Sequence, residues 1–535
     1  MGTKARPLAL VASIALLASV ASPVEAASLS AGPGPITSGI AGKCADDFGD
    51  NAANGTAVDL YDCNGGAAQQ WTLPGDGTVR INGKCMDVTG RGTANGTLVE
   101  LWDCNGGSNQ TWTPQADGTL KSAQSGRCLD DPGYSTANGT QLVIWDCTGG
   151  TNQKWTPPTA RVGTWSAGLE KSGRGFSNQS IRMVTHMTVA GSQVRVRLSN
   201  QYGTTALSVG AVDLAVQSSN GSAVPGTHHA VTFAGSAGAS IASGADLVSD
   251  PVTMSVNADQ DLLVSIYLPG TTGPSTWHWD AQDTTYLSTA GNHVGDDSTA
   301  NYPSSSNTSS WFFLAGLDVL SPTATGTVVA IGDSITDGYG SSSGTNTRWP
   351  DDLARRLNAL AGGTPRGVVD AGIGANRVLT DADSGTNPSL LKRFAHDALG
   401  QPGVKDVILL EGINDIGNNA GSGGSALTAQ QLESAYQTII SQAHAQGVKI
   451  YGVTILPYQG SGFYSSNGES IREAVNQWIR TSGAFDAVID MDAVMRSSTN
   501  PLALNPAYDS GDHLHPNDHG YQAMANTVDL NLLTS

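Results

Sequence analysis

The chain is poor in charge, and poorest in positive charge. Of its 535 residues only 14% are charged, and 27 lysines and arginines face 46 aspartates and glutamates, a formal net charge of −19. So acidic a chain offers phosphates no counter-charge, which argues against nucleic acid as a partner. Beyond that, acidity speaks for solubility and not for a ligand. Cysteine is absent outside residues 44–147, and no pair has the CxxC spacing of a zinc site. Past the N-terminal segment no run reaches 18 consecutive apolar residues, so no membrane span is expected. Glycine, in contrast, is abundant at 66 residues, as suits loop-rich, β-rich secreted domains.

The length allows about three domains. Residues 1–26 read as a secretory signal: Lys4 and Arg6 begin it, Leu8 to Val20 is a mostly apolar run of 13 residues, and Val24-Glu25-Ala26 fits the small-residue cleavage rule. The protein is therefore expected to be extracellular, with 25 basic and 45 acidic residues once the signal is removed.

Residues 36–158 contain a threefold repeat. All six cysteines lie there, as Cys44 and Cys63, Cys85 and Cys104, Cys128 and Cys147, each pair 19 apart. Six cysteines allow 15 pairings. The repeat favours pairing within each unit, and an oxidising compartment favours disulfides over metal. Each repeat ends in Gln-x-Trp: Gln69 with Trp71, Gln110 with Trp112, Gln153 with Trp155, the tryptophans 41 and 43 residues apart. This pattern resembles the ricin-B-type β-trefoil lectins. The resemblance implies three repeats closing on a shared core, with the Gln-x-Trp residues structural and sugar contact elsewhere. A sugar ring has an apolar C–H face and pairs of hydroxyls, so it calls for an aromatic platform, a carboxylate and an amide. Repeat two has Asp87, Trp102 and Asn109; repeat three has Asp130, Trp145 and Asn152. Repeat one has Asp46 and Tyr61, but Ala68 replaces the amide, and in repeat three Val143 stands where the lectins often carry a polar residue. A trefoil that has lost its ligand is the competing reading.

Thr156-Pro157-Pro158-Thr159 is a short linker. Residues 161–322 read as strands separated by turn residues, a β-sandwich or jelly roll. Gln193 to Ser199 alternates apolar and polar, Asp261 to Leu268 is another strand, and Leu207–Val216 and Val252–Val256 are weaker candidates. The stretch resembles a domain that precedes the catalytic one in some actinobacterial esterases. Trp277-His278-Trp279-Asp280 is an aromatic cluster with three readings: sugar platform, cleft wall or inter-domain packing.

Residues 326–535 alternate strand and helix, which gives a parallel sheet covered by helices with its site at the C-terminal strand ends. An apolar face of Leu432, Ala435, Tyr436, Ile439, Ile440 and Ala443 marks one helix. Four stretches carry chemistry: Gly332-Asp333-Ser334-Ile335-Thr336-Asp337-Gly338 after an apolar strand, Asp370-Ala371-Gly372-Ile373-Gly374-Ala375-Asn376-Arg377, Gly412-Ile413-Asn414-Asp415, and Asp512-His513-Leu514-His515-Pro516. A hydroxyl nucleophile needs a base and a group that fixes the base's tautomer. Together the four blocks resemble the SGNH, or GDSL-type, esterases. The resemblance implies a flavodoxin-like three-layer fold, Ser334 as nucleophile, His515 as base and Asp512 as its partner, with no cofactor. It implies an oxyanion hole from the N–H groups of Ser334 and Ala375 and the amide of Asn414. His513 and His519 are rival bases that the family spacing disfavours. Ala375 stands where the family has glycine; the expectation is that its backbone avoids positive φ, with Gly374 taking the flexible position. The combined expectation is a secreted, monomeric esterase that removes acetyl groups from a plant polysaccharide such as xylan. A GDSL-type lipase or phospholipase, or a non-catalytic sugar-binding protein, are the alternatives.

Overall fold

The computed structural model describes residues 30–534 except 75, 116, 159, 322–323 and 361–364; the expected signal of residues 1–26 lies outside them. The first unit is all β. Its first strand, Ser30–Gly34, pairs with Trp71–Pro74 and so lies ahead of residue 36, where the repeat begins in the sequence. The three repeats bury one core, in which Trp71, Trp112 and Trp155 recur in equivalent positions. Each indole N–H donates to a backbone carbonyl, of Ala45 (2.8 Å), Met86 (2.9 Å) and Leu129 (2.9 Å) respectively. That satisfies the one polar atom of a buried tryptophan. Disulfides join Cys44 to Cys63, Cys85 to Cys104 and Cys128 to Cys147, one inside each repeat.

The middle unit packs two antiparallel sheets. One contains Ala160–Ser166, Leu314–Ser321 and Gly191–Ser199; the other contains Gln179–Met187 and Gln260–Leu268. Trp165 and Trp311 meet edge to face in the core between them, ring centroids 4.8 Å apart. The single strand expected over Leu207–Val216 divides at Gly210 into Leu207–Val209 and Ala211–Ser219. A Cβ at Gly210 would lie 2.8 Å from the Tyr267 ring, so the break is where a side chain does not fit.

The last unit is a five-stranded parallel sheet: β1 (Thr327–Gly332), β2 (Gly367–Gly372), β3 (Val404–Leu410), β4 (Lys449–Val453) and β5 (Ala487–Ile489), in spatial order 2-1-3-4-5. Its helices include α1 (Ser334–Asp337), α2 (Trp349–Asn358), α3 (Ile413–Gly417), α4 (Ala429–Ala445), α5 (Ser466–Thr481) and α6 (Asp518–Thr527). β1 and β2 are buried along their whole length, as strands covered on both faces must be. The six apolar residues marking one face of α4 are its buried residues, and Thr428 and Gln431 form a capping box at its start. The order reverses between β1 and β3, so their C-terminal ends bound the crevice where such sheets bind ligands.

β2 is an edge strand, and the middle unit covers it. The Thr188 hydroxyl donates to the Val368 carbonyl (2.8 Å) and accepts from its N–H (3.1 Å), while Ser166 Oγ donates to the Asp370 carbonyl (2.7 Å). These bonds occupy backbone groups that an open edge would leave unpaired.

Candidate functional site

Ser334 follows directly on β1. Asp333 caps α1 by accepting the Ile335 N–H (3.0 Å), and the single turn is closed by Gly338 at φ 96°. The serine thus opens the first turn of a helix, where a backbone N–H has no intrahelical acceptor. Its Oγ lies 2.8 Å from His515 Nε2, and His515 Nδ1 lies 2.6 Å from Asp512 Oδ2. The other Asp512 oxygen accepts the N–H groups of Leu514 and His515, both at 2.9 Å. Burial raises the Asp512 carboxyl, but bonds from the His515 ring and these two N–H groups outweigh it and hold the group well below the carboxylate range. Asp512 is therefore an anion set against the far side of the imidazole, which favours the tautomer whose Nε2 accepts a proton from serine. Ser334 and His515 are 8% and 9% exposed, so both keep a small accessible surface. Of the rival bases, His513 pairs with Asp509 (2.6 Å) and is largely exposed.

Asn414 stands in α3, one turn past β3, and is buried with its Nδ2 lacking any partner among the described residues. A buried amide donor left unbonded costs about 1–3 kcal/mol. Ala375 corrects one expectation: its φ is +60°. The Asn376 N–H bonds back to the Ile373 carbonyl (3.1 Å), closing a tight turn whose third residue is Ala375. A type II turn requires positive φ at this place. Gly374 takes no positive φ; it is kept bare because a Cβ there would lie 3.0 Å from Trp279 Nε1.

Several residues that hold the site escaped the sequence reading. Arg393, fully buried, donates to the carbonyls of Gly332 (2.8 Å) and Ala371 (2.6 Å) and to Asn376 Oδ1 (2.8 Å), tying the ends of β1 and β2 to the turn of Ala375. Asp415 accepts the N–H groups of Val378 (2.8 Å) and Leu379 (3.1 Å); burial, partly offset by those bonds, pushes its carboxyl up to about 7. His278 comes from the middle unit. Its Nε2 lies 3.0 Å from Asp337, the last residue of α1, and its Nδ1 lies 2.9 Å from the Gly168 carbonyl. Burial lowers its pKa, but Asp337 and then Glu170 prevail and raise it to about 10. Their common signal is that each partner is distant in sequence or is backbone.

In the trefoil, Asp87 Oδ2 accepts from Asn109 and Gln110 (2.8 Å each), and Asp130 Oδ2 from Asn152 (3.0 Å) and Gln153 (2.7 Å). In repeat one Asp46 accepts from Gln69 alone among side chains (2.9 Å), since Ala68 offers no amide. Tyr61, Trp102 and Trp145 are 40%, 41% and 43% exposed. In repeat two Asp87, Trp102 and Asn109 line one cavity together with Arg91 and Glu100, which the sequence reading had not singled out. Asn109 and Asn152 each keep a buried carbonyl oxygen unpartnered among the described residues.

Three family models match the chain: "Ricin-type beta-trefoil lectin domain" over residues 32–155, "Ricin-type beta-trefoil lectin domain-like" over residues 115–224, and "GDSL-like Lipase/Acylhydrolase family" over residues 330–523. The chain thus carries a ricin-type lectin domain in its N-terminal part and a GDSL-like lipase/acylhydrolase domain in its C-terminal part. The second lectin match runs past Thr156 onto strands of the middle unit. Solved structures align with single units. A designed threefold-symmetric protein, ThreeFoil, is 32% identical over 23% of this chain and 95% of its own, with a TM-score of 0.22. A lipolytic protein of the G-D-S-L family from Desulfitobacterium hafniense is 22% identical over 38% of this chain and 96% of its own, TM-score 0.29. An acylhydrolase from Bacteroides fragilis is 24% identical over 38% and 83%, TM-score 0.29. None of the curated proteins matches the chain. A ricin-type lectin domain implies carbohydrate binding, and among the described residues no helix is long and apolar enough to cross a membrane.

Proposed function

We propose that this acylhydrolase is exported by residues 1–26 and removes acetyl groups from a plant cell-wall polysaccharide such as xylan, held on the polymer by its trefoil. Ser334 Oγ attacks the ester carbonyl while His515 Nε2 takes its proton. The tetrahedral oxyanion is met by the N–H groups of Ser334 and Ala375 and the amide of Asn414. The intermediate collapses, His515 returns the proton to the leaving sugar alcohol, and an acetyl-Ser334 ester remains. A water, deprotonated by His515, attacks that ester and regenerates the serine with release of acetate. Asp512 orients the imidazole and stabilises its charged form. On the trefoil, Trp102 and Trp145 are the platforms, Asp87, Asn109, Asp130 and Asn152 the polar contacts, and Asp46 with Tyr61 a weaker third site.

The observation that carries the chemistry is the chain of contacts from Ser334 through His515 to Asp512. The joined lectin supports a sugar ester over a lipid. Acetate and fatty acid are assayed in parallel, from acetylated xylan and from phospholipid vesicles. Acetate release with little fatty acid supports the reading; the reverse result makes the chain a lipase.

A further inference from the structure

The cluster from Trp277 to Asp280 is divided by the fold. Trp277 stacks on Phe312, ring centroids 6.1 Å apart, and His278 is buried against Asp337. Trp279 alone among the three rings stands out, 38% exposed. Its backbone is fixed on both sides: its N–H donates to Glu170 (3.1 Å) and its carbonyl accepts from Ser310 Oγ (2.7 Å). Its indole lies against Gly374, next to Ala375, close enough that a Cβ at Gly374 would stand 3.0–3.3 Å from three of its atoms. An exposed ring has thus been brought onto the turn that borders the nucleophile, by a different unit of the chain.

An acyl chain calls for an enclosed apolar channel, whereas an exposed indole matches the apolar C–H face of a sugar ring. A second exposed ring, Tyr339 (43% exposed), packs against His515 with ring centroids 4.5 Å apart.

We propose that the middle unit completes the active site, with Trp279 as the stacking platform for the sugar residue that bears the ester. This rests on the polysaccharide-ester reading above. The test measures inhibition of 4-nitrophenyl acetate hydrolysis by unacetylated xylo-oligosaccharides, using the full chain. Both arms carry Trp102→Ala with Trp145→Ala, so that the trefoil does not take up the ligand. The expected result is competitive inhibition, a Ki raised tenfold or more by Trp279→Ala, and a Ki largely recovered in Trp279→Phe, which also guards against a folding defect. A Ki indifferent to Trp279, or no inhibition in the parent protein, overturns the platform. A fall in kcat with an unchanged Ki overturns it as well, since Trp279 would then only brace the turn of Gly374 and Ala375. Failure of the polysaccharide-ester reading is separate: acetylated xylan would yield no acetate, and the Ki comparison would still be read.

Discussion

The Asn414 amide is buried and unpaired among the described residues, in the turn that follows β3, and in the proposed mechanism it meets the oxyanion. Asn414→Ala removes that donor while leaving Ser334 and His515 untouched. Losing one such donor typically costs about 3 kcal/mol of transition-state stabilisation. Steady-state kinetics are expected to show kcat down by 10²–10³ with KM nearly unchanged; a drop confined to KM would assign Asn414 to ground-state binding. That Ser334, Asp512 and His515 come together was legible in the sequence because each sits in a short block whose residue types belong to one chemistry. The conformation of Ala375 was not. Its positive φ is imposed by the Ile373–Asn376 turn and accepted at a strain of about 1–2 kcal/mol. Arg393 was equally hidden, because its partners are mostly carbonyls at the ends of strands it does not belong to.

At the scale of elements, alternation of strand and helix in the last unit foretold its parallel sheet, and the apolar face of α4 foretold its buried side. What periodicity does not contain is the contact between units. α1 is one turn long, too short to be stable alone. His278 of the middle unit fastens its last residue, with Asp337 and the Asp280 carbonyl facing Nε2, and the Gly168 carbonyl facing Nδ1. Both ring nitrogens face acceptors, so the imidazole is held as a cation. With a folded pKa of about 10 and an unfolded one near 6.5, its contribution to stability is complete below pH 6.5 and lost as the pH rises through 10. Glu170 beside it, raised to about 7 mainly by burial, titrates lower down. His278→Gln is therefore compared with wild type from pH 7.5 to 9.5. Breaking a buried pair costs about 3–5 kcal/mol. The wild-type advantage, measured by denaturant unfolding, is expected to shrink by about 1.4 kcal/mol per pH unit across that range. A constant advantage would mean that the ring is neutral.

The whole molecule sets two kinds of site on one chain. The repeat was legible because cysteines and tryptophans return at near-constant spacing, and the exposed rings of Tyr61, Trp102 and Trp145 because they share an offset within each repeat. Arg91 and Glu100 were not, since they face Trp102 only once the chain closes around that cavity. Two platforms engaging one polymer surface raise apparent affinity by about 10² or more when geometry allows. Pull-down on insoluble xylan is expected to show Trp102→Ala with Trp145→Ala losing far more retention than either change alone. The ratio of activity on insoluble acetylated polymer to activity on a soluble acetyl ester should fall in parallel. Retention equal to wild type would move the anchor elsewhere, with Trp279 the first place to look. The central claim is that the serine site and the sugar-binding site are distinct parts of one enzyme. It is tested most directly by assaying Ser334→Ala for acetate release from acetylated xylan and for retention on the same polymer. The account predicts acetate release at least 10³-fold below wild type with retention preserved; substantial acetate release by that variant would contradict it.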